Sequence, residues 1–97
     1  MYAPLPESLT IKQSAIHGLG LFAICDIATS VVLGISHIED NRFENDHIRT
    51  PLGGFYNHSE NPNCHIIKQA GLLYLETIRP IKDGEEITSR YILYTPP

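Results

Sequence analysis

The sequence predicts a mainly β fold of short strands and small sheets. Three observations carry this. Apolar and β-branched runs are short, as in Leu9-Thr10-Ile11-Lys12 and Leu72-Leu73-Tyr74-Leu75-Glu76. Glycine-containing turns punctuate them, at Gly18/Gly20, Ala70-Gly71 and Lys82-Asp83-Gly84. No window holds a sustained helical repeat, and no internal repeat appears.

Taken in order, residues 1–8 carry Pro4 and Pro6 and read as an extended N-terminal arm. Leu9–Lys12 alternates apolar and polar residues, which predicts a short strand. The Gly18/Gly20 turn leads into Leu21-Phe22-Ala23-Ile24. Ser30 through Ile38 is β-branched and apolar with one glycine, and predicts one or two strands. Residues 39–50 are polar and weakly periodic, so a loop or at most one helical turn is expected. His65–Gln69 and Leu72–Glu76 flank Ala70-Gly71, and two turn residues between strand-like runs predict a β-hairpin. Ile92-Leu93-Tyr94 is a last apolar contact before the tail, residues 95–97.

The chain of 97 residues fits one small domain, which spans 9–94 on this reading. So short a chain buries a modest core, and a homodimer is one way to add to it. An apolar fraction of 42% argues against disorder. The net charge of −4 argues against nucleic-acid binding, which needs clustered Lys and Arg, and suits a basic partner. Cys25 and Cys64 make no disulfide framework, so a reducing compartment is the default. No signal peptide or membrane-length apolar run is visible. A soluble, intracellular domain with no membrane association is expected.

Three segments carry chemistry. In His17-Gly18-Leu19-Gly20-Leu21-Phe22-Ala23 the paired glycines let the backbone approach a ligand or simply turn. They fail the dinucleotide fingerprint, since no third glycine opens a helix. Asn57-His58-Ser59 with Asn61-Pro62-Asn63 is a knot of polar residues between apolar segments. Such a knot needs internal hydrogen bonds if buried, and its plainest reading is a turn in which Asn57 and Ser59 satisfy backbone groups. Gly84-Glu85-Glu86-Ile87-Thr88-Ser89-Arg90-Tyr91 alone would be a turn with a solvated charge pair and a core aromatic. The histidines and cysteines match no zinc spacing, and no metal is expected. The acids Glu39, Asp40, Glu44 and Asp46 read as a solvated loop that could also attract a basic substrate.

In this order and spacing, the three segments together resemble the signature of SET-domain protein lysine methyltransferases, and the small size resembles miniature viral and bacterial members. The resemblance implies a β-clip-like SET fold whose C-terminal strand threads beneath the Asn57-His58 segment as a pseudoknot. It implies S-adenosylmethionine as cofactor, bound by Leu19, Gly20, Leu21, Asn57 and His58, with Tyr91 as the catalytic residue. The partner implied is a protein with an exposed lysine, which would receive the methyl group on its ε-amine. Tyr56 and Tyr94 are expected as walls of the lysine channel or as core; Phe55 is expected in the core.

The chain departs from the family pattern in several places. Gly54 stands where Arg is common, and Glu60 where many members have a zinc-binding Cys. Ser89 stands where Phe or Tyr is common, and Arg90 where Asp is. The segment inserted between the two halves shrinks to residues 39–50. These departures keep an alternative open: a catalytically inactive SET-fold module that binds cofactor or protein.

Overall fold

The computed structural model describes residues 5–43 and 47–90. Tyr91 and Tyr94 lie outside the described residues.

Two strands open the fold. β1 (Leu9–Gln13) and β2 (Leu19–Ala23) pair antiparallel from Leu9 opposite Ala23 to Gln13 opposite Leu19. The turn between them is closed by Ser14 N donating to Gly18 O at 2.7 Å. β2 buries Gly20, Leu21 and Ala23, leaves Phe22 half-buried and exposes Leu19. The other edge of β2 is taken by the C-terminal segment. Ile87 N donates to Leu21 O at 2.8 Å and Ala23 N to Glu85 O at 2.9 Å.

The largest sheet is built from β3 (Val32–Glu39), β4 (His47–Arg49), β6 (Cys64–Gln69) and β7 (Leu72–Thr77). Their order is β4-β3-β7-β6, antiparallel throughout. β6 and β7 form the predicted hairpin. Ala70 and Gly71 both have positive φ, at 52° and 81°, as a two-residue turn matching strand twist requires. The 30–38 run forms one strand rather than two, with register shifts against β7 on either side of Gly34 and Ile35.

Two elements depart from expectation. The 39–50 stretch contains β4, a three-residue edge strand with Ile48 opposite Ile38. It is too short to show alternation in sequence. The helix lies just beyond, as α1 (Pro51–Phe55). Its Pro-Leu-Gly-Gly-Phe sequence has poor helix propensity, but Thr50 caps it by accepting from Gly53 N at 3.2 Å, and Pro51 suits the first turn. Packing supplies the rest. Gly53 lies so close to β3 that an added Cβ would collide with Ser36 O and sit 2.7 Å from Ser36 C.

A third pair closes the fold. β5 (Asn57–His58) and β8 (Thr88–Ser89) run parallel, Asn57 opposite Thr88 and His58 opposite Ser89. This pair ties the chain's last described segment to the Asn57-His58 segment, the link that the expected pseudoknot requires. The core between the sheets includes Leu21, Leu73, Leu75, Ile81 and Ile87, all fully buried. Each such side chain contributes about 1.5–3 kcal/mol of burial free energy before chain entropy is set against it.

Candidate functional site

The three segments singled out in the sequence meet at one place. Asn57 is 6% exposed, and its Nδ2 lies within reach of four acceptors. These are Glu86 Oε2 at 2.8 Å, Ser14 Oγ at 3.1 Å, His17 O at 3.2 Å and Leu19 O at 3.3 Å. Ser14 Oγ in turn donates to the Glu86 carboxylate, 2.8 Å from either oxygen. It also accepts from Ile16 N at 2.9 Å. One network thus joins the β1–β2 turn, β5 and the strand-like segment before β8.

Gly20 is what lets this network form. The position that its Cβ would take is filled by Glu86 Oε2, with Asn57 Nδ2 3.2 Å away. Its neighbours divide between surface and core. Leu19 is 52% exposed, beside the exposed Ile16, and forms an apolar rim. Leu21 is fully buried, and its carbonyl is taken by Ile87 N. Gly18, at φ +48°, has open space where a side chain would stand.

Asn63 braces the same region from below. It is 1% exposed and satisfied on every side. Its Nδ2 donates to Glu86 O at 2.7 Å and to Glu85 Oε2 at 3.1 Å, while its Oδ1 accepts from Thr88 N at 2.9 Å. Glu85 also accepts from Lys82 N at 3.0 Å. Burial raises the Glu85 pKa, but these hydrogen bonds and nearby Arg79 outweigh it and leave it below the ordinary value. Ser59 Oγ accepts from Asn61 N at 3.0 Å, so the plain turn reading of this stretch also holds locally.

His58 is half-buried, with Nε2 3.6 Å from Glu60 Oε1. Glu60 also meets Arg90, whose Nε is 3.5 Å from Oε2 and whose guanidinium donates to Glu60 O at 3.0 Å. Glu60 and Arg90, an acid and a base thirty positions apart, are thus in contact. Tyr56 is buried in the core, its ring edge-on to His37 at 6.4 Å between centroids. Phe55 packs against the core, as expected. Among the described residues no group of three His, Cys, Asp or Glu could hold a metal ion, and no helix is long and apolar enough to cross a membrane.

The family model of the SET domain matches residues 31–92, well over half of the chain. The chain belongs to the SET-domain family. Solved structures similar to this SET domain include a Plasmodium falciparum protein assigned as a histone methyltransferase. It is 21% identical, with a TM-score of 0.70, covering 90% of this chain and 95% of that one. Another is the methyltransferase domain of human PR domain-containing protein 2, at 18% identity and a TM-score of 0.72, covering 96% of this chain and 82% of that one. Both overlays reach N-terminal to residue 31, so the likeness in fold extends beyond the family match. No curated protein matches the chain at a significant level.

Sequence reasoning missed Ser14 and Glu86. They stand 72 positions apart, and nothing local in either segment announces the contact. Of the expected cofactor residues, the network brings Leu19, Gly20 and Asn57 together at the turn. Leu21 lies beneath them in the core, and His58 lies on the far side of β5 toward Glu60.

Proposed function

We propose that this SET domain is an S-adenosylmethionine-dependent methyltransferase acting on the ε-amine of a protein lysine. The observation that carries the reading is the junction of the 14–20 turn, Asn57 and Glu86, in a SET-family chain whose sequence has Tyr91 two residues after β8.

The chemistry of the junction suits this cofactor. The Asn57 amide carries two protons but faces four acceptors, so the rim has surplus lone pairs, one set of them on a carboxylate. Exposed Ile16 and Leu19 flank them. Such a rim fits a ligand that is cationic at one end and aromatic at the other. When bound, S-adenosylmethionine supplies a methyl group already activated by its sulfonium.

The remaining tasks fall to the chain's own residues. Leu19, Gly20, Asn57 and His58 hold the cofactor, and Leu21 anchors β2 from the core. The incoming lysine must lose its proton, since a free ε-amine has a pKa of about 10.4. Desolvation in a narrow channel favours the neutral amine, with Tyr94 as a wall, while Tyr56 backs the site from the core. Tyr91 orients that amine so that the reacting atoms stand about 3–3.5 Å apart. The net charge of −4 favours a basic protein segment as substrate.

Calorimetric titration with S-adenosylmethionine tests the reading. Micromolar-range binding is expected, lost in Asn57→Ala, followed by methyl transfer to lysine peptides that Tyr91→Phe abolishes. Binding without any turnover would leave a cofactor-binding module. No binding by the intact protein would overturn the cofactor site.

A further inference from the structure

The polar network has a feature that ligand contact alone does not explain. Its centre is a side chain of the protein, the Glu86 carboxylate. A carboxylate only accepts hydrogen bonds. Every group that meets Glu86 must therefore present a proton, and this decides the orientation of both partners. The single proton of Ser14 Oγ goes to Glu86, which leaves that oxygen's lone pairs for Ile16 N and Asn57 Nδ2. The Asn57 amide must turn Nδ2 toward the turn and Oδ1 away from it, because Oδ1 against a carboxylate would repel. An Asn amide has no such preference by itself.

Glu86 is itself held by the backbone. Phe22 and Glu86 form a bridge on β2, Ile87 N donates to Leu21 O, and Glu86 O accepts from Asn63 Nδ2 at 2.7 Å. Gly20 leaves the space into which the carboxylate fits. Among the described residues no Lys or Arg pairs with the Glu86 carboxylate, whose hydrogen bonds run to Ser14 Oγ in the turn and to Asn57 Nδ2.

We propose that Glu86 is a positioning residue: its carboxylate presets the 14–20 turn and the Asn57 amide, so that the cofactor site is assembled before the ligand arrives. Gly20 is glycine to admit this carboxylate as much as to admit a ligand. The role in binding rests on the S-adenosylmethionine reading above. The preset turn does not, and it can be measured without ligand. A site assembled in advance loses less freedom on binding, so affinity should suffer when the preset is lost.

The test compares the intact protein with Glu86→Gln and Ser14→Ala in two measurements. The Gln variant keeps the size of the side chain but can no longer accept at both oxygens. In the first measurement, amide hydrogen exchange without ligand reads Ile16 and His17, whose N–H groups point to Ser14 Oγ at 2.9 and 3.3 Å. Exchange there is expected to rise about tenfold in Glu86→Gln, while amides of β6 and β7 stay unchanged. In the second, calorimetry is expected to show S-adenosylmethionine affinity about tenfold weaker in each single variant. The double variant is expected to be little worse than either, because one network is broken once. Unchanged exchange at Ile16 and His17 in Glu86→Gln would overturn the positioning role, whatever the ligand does. Raised exchange with undiminished affinity would overturn its bearing on the site. If the intact protein binds no S-adenosylmethionine but exchange rises as expected, the cofactor reading fails and the preset turn stands.

Discussion

Acidification is expected to destabilise this domain through His37, well before most carboxylates are protonated. His37 is 2% exposed. Its Nδ1 lies 2.9 Å from Ser36 Oγ, which donates its own proton to Leu73 O at 3.1 Å. Ser36 can therefore only accept from the ring, and the neutral imidazole carries its proton on Nδ1. A second proton must go to Nε2, inside a cluster formed by His47, Tyr56 and Arg49. Burial is the largest cost of that charge, followed by the positive charges of Arg49 and His47, and the pKa is pushed down from 6.5 to about 4.

The sign follows from linkage. The unfolded chain takes up the proton near 6.5 and the folded one only near 4, so stability is full above pH 6.5 and falls as pH drops through that window. The loss amounts to about 1 kcal/mol by pH 5.5 and about 3 kcal/mol by pH 4. For a domain of this size that is a large share of the whole. The chain has no Trp, so urea unfolding is best followed by far-ultraviolet circular dichroism, at pH 7.5 and 5.5. His37→Asn keeps a donor near Nδ1 but cannot titrate. It lowers stability at both pH values, and the difference between the two proteins cancels the other histidines. The intact protein is expected to lose about 1 kcal/mol more than His37→Asn across this interval. Equal losses would refute the placement of a neutral imidazole in the core.

Two further perturbations read the packing. Gly53→Ala should cost about 2–3 kcal/mol in urea unfolding, because its Cβ meets the backbone of β3, whereas Gly54→Ala, with open space around it, should gain about 0.5–1 kcal/mol from helix propensity. A wild-type midpoint for Gly53→Ala would show that α1 stands off the sheet. Thiol titration should find one reactive cysteine in the native protein, the exposed Cys25, and two in denaturant. Cys64 is fully buried, and burial pushes its thiol up to about 12.

How much could be read from sequence depended on how local the cause was. The β6–β7 hairpin was legible because its turn residues and its two apolar runs are adjacent in the chain. β1, β2 and β3 announced themselves by short apolar patterns. β4 did not, since three residues hold less than one full alternation, and what makes it a strand is pairing with β3. α1 contradicts its own propensity, and its warrant is Thr50 together with a close approach to Ser36 that only a glycine permits. The same division holds in the site. Asn57 and Gly20 were legible because their segments resemble the family signature, while Ser14 and the role of Glu86 depend on partners far along the chain.

That distance has a consequence for how the site exists at all. Segment 81–89 is the shared member of the structure. Ile81 and Ile87 lie in the core, Ile27 and β2 bridge to it, Asn63 grips it by Glu86 O and Thr88 N, and β8 pairs with β5. Contacts spanning most of the chain are costly to close and gain nothing until several form together. The Ser14–Glu86–Asn57 network is of this kind, and it depends on a segment whose other bonds hold the rest of the fold. The network is therefore a property of the complete domain, and no hairpin taken alone contains it. A loss of stability anywhere along segment 81–89 then also becomes a loss of the candidate site.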